Sequence, residues 1–311
     1  MPQLNRKRVI LAKIESSYGT DPTPTGGSNA ILVRGNLTPR PIAAEQVSRE
    51  LIRSFLANNE QLNANTHVEI DFEVELAGSG ALGTAPAYGP LLRACGMSET
   101  ITASTKVEYQ PISASFESVT IYFNNDGVNH KMTGCRGTVS LGINANQIPV
   151  YKFHFMGIYN APTDTALPSP TYTGFKTPQV ANNANTTAFT LHSYSGVLQS
   201  LDFSLNNQCE FRSLIGGTES ILITDRKPSG EIMIEAPALA TKDFFAISQA
   251  DTLGALSITH GSVSGYKVKL DCASVDVGDI SYEDSQGITM LRIPFQPIPT
   301  SGNDDFKITI I

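Results

Sequence analysis

The chain has 311 residues, a formal net charge of −7, 41% hydrophobic residues and only 16% charged ones. That length allows about two domains, each with a real core. The acidic balance excludes a protein that grips nucleic acid through its phosphates, which needs basic patches.

The 25 glycines and 18 prolines point to turns and short strands rather than helices. Cys95, Cys135, Cys209 and Cys272 are widely spaced, without a Cys-x-x-Cys pair. They fit neither a metal site nor a disulfide framework and read as reduced, buried thiols. The opening Met1-Pro-Gln-Leu-Asn-Arg-Lys-Arg-Val-Ile-Leu-Ala-Lys13 has too short an apolar run for a signal peptide. No stretch approaches the roughly 20 apolar residues of a membrane span. No membrane partner is expected, and synthesis and assembly are expected in a cytoplasm.

In chain order, residues 1–29 read as an N-terminal arm in which Val9, Ile10, Leu11 and Ile14 could pair as a strand, followed by a Pro/Gly/Thr-rich stretch from Gly19 to Asn29. A strand begins at Ala30–Val33 and reaches Leu37. Residues 42–57 have apolar side chains at helical spacing (Val47, Leu51, Phe55). Residues 67–76, His-Val-Glu-Ile-Asp-Phe-Glu-Val-Glu-Leu, alternate strictly. Val68, Ile70, Phe72, Val74 and Leu76 fall on one face of a strand, and Glu69, Asp71, Glu73 and Glu75 on the other. Four carboxylates with no base among them make either a solvated outer strand or a surface selected to be acidic. A short helix follows within Pro86–Cys95, ended by Gly96. Strands recur around Val107–Tyr109, Phe116–Phe123, Thr138–Ile143 and Val150–Ile158, with a hairpin turn at Asn124-Asn-Asp-Gly127. Residues 161–189 read as a linker of low charge.

The pattern then starts again. Arg53-Ser-Phe-Leu-Ala-Asn-Asn-Glu60 resembles Arg212-Ser-Leu-Ile-Gly-Gly-Thr-Glu219, and Glu69-Ile-Asp-Phe-Glu73 matches Glu231-Ile-Met-Ile-Glu235. Tyr88–Ala94 matches Phe244–Ala250 as a short helix. Thr138-Val-Ser-Leu-Gly142 matches Ser274-Val-Asp-Val-Gly278. Tyr151–Ile158 matches Leu291–Ile298. The second copy of the 42–62 segment contains Gly216-Gly217, which would break a helix, so 42–62 reads as mainly extended loop. The fold class is mainly β: two tandem β-sandwich or open-barrel domains, residues 30–160 and 190–300, each with a short flanking helix. Residues 301–311 alternate like a strand without a partner in their own domain, suited to a neighbour's sheet.

No catalytic motif emerges. Gly78-Ser-Gly-Ala-Leu-Gly83 fits a dinucleotide loop by spacing, but it follows an acidic strand and precedes β-strands rather than β/α units. The five histidines are isolated, and there is no nucleophile elbow, phosphate loop or zinc-protease motif. No catalytic, cofactor or metal residue is assigned, and the chain does not read as an enzyme.

Lys13-Ile-Glu-Ser-Ser-Tyr-Gly-Thr-Asp-Pro-Thr-Pro-Thr-Gly26 followed by Asn29-Ala-Ile-Leu-Val33 resembles the opening of major tail tube proteins of long, non-contractile-tailed bacteriophages. The resemblance covers the first 160 residues best. It implies β-sandwich domains with a flanking helix that form rings stacked into a tube, through which viral DNA leaves the head. It implies an acidic lumen, for which the candidates are Glu69, Asp71, Glu73, Glu75, Glu231 and Glu235. It implies contacts between rings through the arm and long loops, with Tyr18, Asp21, Arg53, Phe55, Leu56, Arg212, Leu214 and Ile215 as candidates. The partners implied are further copies of the chain and other tail proteins: tape measure, tail terminator and distal tail protein. DNA would pass without specific binding, and the location would be the virion tail. The family's simplest pattern has one tube domain per subunit and six per ring; two domains per chain imply a ring of three chains with pseudo-sixfold symmetry. The alternative is a β-sandwich binding module such as an adhesin or virion decoration protein. An adhesin needs a secretion signal and has no need of acidic strands in both repeats.

Overall fold

The computed structural model describes residues 3–311. Among the described residues, twenty strands and three short helices succeed one another. The first half contains β1 (Arg8–Ile14), α1 (Gly26–Asn29), β2 (Ala30–Ile31), β3 (Arg34–Ser48), β4 (Gln61–Glu75) and α2 (Gly89–Ala94). It continues with β5 (Met97–Thr102), β6 (Lys106–Pro111), β7 (Val119–Asn125), β8 (Val128–Asn144), β9 (Val150–Tyr159) and β10 (Thr163–Asp164). The second half opens with β11 (Thr186–Leu191), β12 (Leu198–Ser204), β13 (Asn207–Arg212), β14 (Ser220–Arg226), β15 (Ser229–Glu235) and α3 (Phe244–Gln249). It ends with β16 (Gly254–His260), β17 (Val268–Val277), β18 (Ser281–Ser285), β19 (Ile288–Pro297) and β20 (Lys307–Ile310).

The ladders sort these strands into two layers. One layer runs β3-β4-β9-β8-β12-β15-β19-β18, every neighbour antiparallel. It crosses from the first half to the second at β8–β12, where Leu141 faces Phe203 and Gly142 faces Asp202. The other layer has two parts. Strands β2-β1-β7 continue into the first part of β8, and β11-β16-β17 continue through β20 to β6 and β5. Apolar faces of both layers meet in one core that includes Phe72, Phe153, Phe155, Phe203, Ile232 and Phe295. Tyr88, Leu91, Leu92 and Ala94 of the α2 region are buried in the same core.

The two halves repeat the same order of pairings. A strand on the outer layer (β1, β11) pairs with β7 or β16, which pairs with β8 or β17. A long hairpin (β3–β4; β12-β13 with β14-β15) lies beside β9 or β19. The turn at 124–127 forms as the Asn/Asp/Gly run requires, with Asp126 and Gly127 both at positive φ.

Several expectations change. Of the supposed arm, Met1 and Pro2 lie outside the described residues, but Arg8–Ile14 is a core strand. Val9, Ile10, Leu11 and Ala12 are buried on β7. The strand expected over Val9–Ile14 forms, but its partner β7 lies more than 100 residues away, so local sequence did not show that it belongs to the core rather than to an arm. Residues 42–48 and 61–62 are the arms of the β3–β4 hairpin, so only 49–60 is loop. The segment read as linker contributes β10, the start of β11 and the buried Ala181. The last strand finds its partners within the chain: Ile308 pairs with Leu270 of β17 on one side and Tyr109 of β6 on the other.

Candidate functional site: the charged sheet face and the hairpin tips

The core-facing side of the eight-stranded layer is apolar, so alternation puts its polar residues on the opposite face. That face gathers Glu69, Asp71, Glu73 and Glu75 of β4, as the alternation predicts, with buried Val68, Ile70, Phe72 and Val74 beneath. Cross-strand pairing then adds bases that the strand itself lacks. Arg40 of β3 bonds Glu69 and Arg34 lies 3.9 Å from Glu75. His154 of β9 lies 2.8 Å from Asp71, and Lys152 stands opposite Glu73. On the second half Arg292 of β19 bonds Glu231, while Glu235 stands opposite Met290.

The face is therefore acidic but laced with bases. Local sequence could not reveal this, because each partner comes from another strand. Two further acids join it from strands that carried no acidic run, Asp202 of β12 and Glu283 of β18. Partial desolvation pushes the Asp202 carboxyl above its ordinary value; Lys152 pulls it back and Glu231 raises it further. A shallow cavity of about 290 Å³ opens on this face, lined by Asp71, Glu73, Ser140, Lys152, His154 and Ser204 among others.

The registers also refine the repeat. With Tyr151 equivalent to Leu291, Asp71 opposite His154 corresponds to Glu231 opposite Pro294. Glu75 then corresponds to Glu235, and Glu73 to Met233. The sequence match, which put Glu69 on Glu231, was displaced by one pleat, the smallest error that keeps the same face.

The second cluster lies at the ends of the two long hairpins. The β3–β4 loop exposes Arg53, Phe55 and Leu56, with Arg53 over the Phe55 ring at 6.0 Å. Arg212 is exposed at the end of β13, and the β13–β14 loop exposes Leu214 and Ile215. Relative exposures of 104% at Leu56 and 108% at Ile215 leave these side chains without any packing in the single chain. Ile52, fully exposed beside them, was not among the candidates; its signal was one more large apolar side chain in a loop that also carries Leu51, Phe55 and Leu56.

Tyr18 and Asp21, grouped with the tips by resemblance, lie elsewhere. Tyr18 Oη donates to Gly134 O at 3.1 Å and accepts from the Ile221 amide, and the Arg136 guanidinium covers its ring at 4.8 Å. Arg136 also donates to Phe116 O, Glu117 O and Ile221 O. Together they fasten β14 of the second half to the first. Asp21 accepts from Tyr122 and pairs with Lys131 at 3.3 Å. Burial and the bond to Asp21 hold the Tyr122 phenol well above its ordinary value.

The glycine-rich loop also has a mechanical role. Gly78 N donates to Tyr266 O and Gly80 N to Gly265 O, docking the loop on the second half. A Cβ on Gly78 would lie 2.2 Å from Gly265 O, so only glycine permits this approach. All four cysteines are free. Among the described residues no helix is long and apolar enough to cross a membrane, and no cluster of His, Cys, Asp and Glu could hold a metal ion.

A phage tail tube protein family model matches residues 5–305. The chain belongs to the phage tail tube protein family. It is thus a structural component of a phage tail, mainly β as the sequence reading held. The family match runs through both halves, from before β1 to the approach of β20. A search of curated proteins finds no match.

Proposed function

We propose that the chain assembles into closed rings that stack into the tail tube and that the charged face of the eight-stranded layer lines a lumen conducting viral DNA. The β8–β12 joint carries this reading. It fuses two four-stranded units of the same pairing order into one continuous eight-stranded sheet, β3-β4-β9-β8 followed by β12-β15-β19-β18. Residues 30–160 and 190–300 then act as two tube domains, and three chains supply the six of the simplest family ring, with threefold symmetry and a pseudo-sixfold lumen. Head-to-tail contacts of this kind close only when the rotation per chain fits.

The charge of the wall suits the task. A basic lumen would displace counterions from DNA and hold it. A net acidic lumen repels phosphates weakly, over the ~8 Å Debye length at physiological salt. Two of the bases on this face are committed to neighbouring carboxylates, Arg40 to Glu69 and Arg292 to Glu231, and so are less free to bind phosphate. The hairpin tips are the surface for the next ring, where Ile52, Leu56 and Ile215 lose their exposure to water. Tape measure, terminator and distal tail proteins occupy the lumen and the tube ends. This role needs no catalysis, and assembly takes place in the host cytoplasm.

The helical symmetry of purified tubes by electron cryomicroscopy tests the reading. Three chains per ring, with both halves on the lumen, is the expected result. Six chains per ring, with residues 190–300 projecting outward, would overturn it.

A further inference from the structure

Among the described residues the eight-stranded layer has two unpaired edges, β3 at one end and β18 at the other. Each has a paired counterpart inside the same chain. β8 occupies in the first half the place that β18 occupies in the second: Leu141 pairs with Tyr151, and Tyr282 with the equivalent Leu291. β12 occupies the place of β3: Asp202 pairs with Glu231, and Thr38 with the equivalent Asp71. The internal β8–β12 joint is therefore a template for joining the two free edges.

We infer that β18 of one copy pairs antiparallel with β3 of the next, in the register Tyr282–Pro39, Glu283–Thr38 and Ser281–Arg40. This rests on the ring reading above and specifies its lateral contact. The register transfers from Leu141–Phe203, Gly142–Asp202 and Ser140–Ser204 of the internal joint.

Three observations support it. First, the hydrogen-bonding groups match. At the internal joint Leu205 N donates to Val139 O and Ala145 N to Gln199 O, so the odd-numbered residues there bond across it. Their counterparts on β3 are Leu37, Pro39 and Pro41, and on β18 Tyr282 and Asp284. Leu76 N donates to Pro149 O, so even-numbered residues of β4 bond β9 and odd-numbered ones bond β3. Pro39 and Pro41 thus turn their donor-less nitrogens to the free edge, where proline is tolerated. Their carbonyls remain, and the Tyr282 amide meets that of Pro39. A second β3 could not supply the same complement, so the prolines favour β18 over self-pairing.

Second, Tyr282 is 63% exposed, whereas Leu141, its counterpart at the internal joint, is 2% exposed. Covering by the next β3 removes that difference. Third, Glu283 of β18 falls diagonal to Arg40 of β3 on the charged face, within reach of long side chains of opposite charge.

The test uses the Thr38→Cys, Glu283→Cys double variant of the full chain. These positions form a non-hydrogen-bonded pair, whose Cα atoms sit about 4.5 Å apart, inside the disulfide range. Oxidised tubes should give a covalent trimer on a non-reducing gel, with wild type and the off-register Thr38→Cys, Ser285→Cys variant giving at least tenfold less. More product from the off-register pair would overturn the register. Hydrogen exchange of wild-type protein guards against a variant that fails to assemble: the Tyr282 and Asp284 amides should slow at least about 100-fold from subunit to tube. Tubes in which both amides exchange at the subunit rate would overturn this contact and leave the ring reading standing. Wild-type protein that forms no rings would overturn both.

Discussion

Glu15 is buried, yet both of its carboxylate oxygens are satisfied. Oε1 accepts from Thr120 Oγ1 and Gly134 N, and Oε2 from Ser118 Oγ and Gly19 N. It pins the segment after β1 to β7 and β8. Glu15→Ala leaves these donors unpaired and should lower the unfolding free energy by about 3 kcal/mol, read as a shift in denaturant midpoint. Glu15→Gln should recover only part of this, because its NH₂ must face one of the two fixed amide donors. Glu108 offers a pH-dependent counterpart between the halves. Its carboxylate lies 3.0 Å from both Lys106 and Lys307, tying β6 to β20. Burial alone would raise it, but the two lysines outweigh burial and hold it below its ordinary value of 4.5. A carboxyl depressed on folding stabilises the protein above its unfolded value, and that contribution disappears as pH falls through the folded value. Exchange protection of the β20 amides should therefore weaken below pH 4.5 in wild type, and Glu108→Gln should show the weaker protection already at neutral pH. Neither carboxylate was singled out in the sequence, because the partners of Glu15 stand 103 to 119 residues away, apart from Gly19.

At the scale of elements, strands with their own alternation were legible and those defined by a distant partner were not. Residues 68–76 announced both faces, and the Asn-Asp-Gly run announced its hairpin. β1 and β20 are short apolar runs near the ends of the chain and carry no sign of which strand will accept them. The repeat was legible because each half must bury the same face with the same hairpin; its register slipped because matching by residue type tolerates a shift of two. β20 joins β17 to β6, burying Phe306, Ile308 and Ile310. Removing residues 305–311 should expose this seam and the edges of both strands. The expected result is a lower thermal midpoint and aggregation, measured by calorimetry and light scattering. The hairpin tips should behave in the opposite way. Replacing Ile52, Leu56 and Ile215 with Ser removes side chains that pack on nothing in the single chain, so the thermal midpoint should stay within a few degrees. Tube growth should nevertheless fall sharply if these residues are, as proposed, the apolar surface that meets the next ring. Growth at the wild-type rate, followed by negative-stain microscopy, would remove the tips from the stacking contact.

For the whole molecule, the charged face sets the choice of test for the proposed lumen. A strand of four acids suggests reversing any of them, but the ladder shows that they are not equivalent. The Glu69 side chain is only 15% exposed and closely paired with Arg40, so Glu69→Lys would break that pair where solvent screens the repulsion least, and a loss of infectivity could then come from a distorted wall. Asp71 and Glu73 are better placed. The Asp71 side chain is 52% exposed, its partner is a histidine, and Glu73 faces the cavity beside Lys152. Asp71→Lys with Glu73→Lys should cost only about 1–2 kcal/mol of stability, because exposed pairs contribute about 0–1 kcal/mol each and the like charge set opposite the exposed Lys152 adds a penalty of similar size. In a ring of three chains the two changes repeat every third of the circumference and at every ring along the tube. DNA then meets a succession of basic bands in place of an acidic wall, each band releasing counterions as it binds phosphate. Virions of this variant should assemble with full-length tails but eject DNA more slowly. The defect should shrink as salt rises from 50 to 300 mM, because phosphate binding weakens steeply with salt. Asp71→Asn with Glu73→Gln removes the charge without reversing it and should fall between the two. Ejection rates equal to wild type for the double lysine variant at low salt would place the face of β4 away from the path of the DNA.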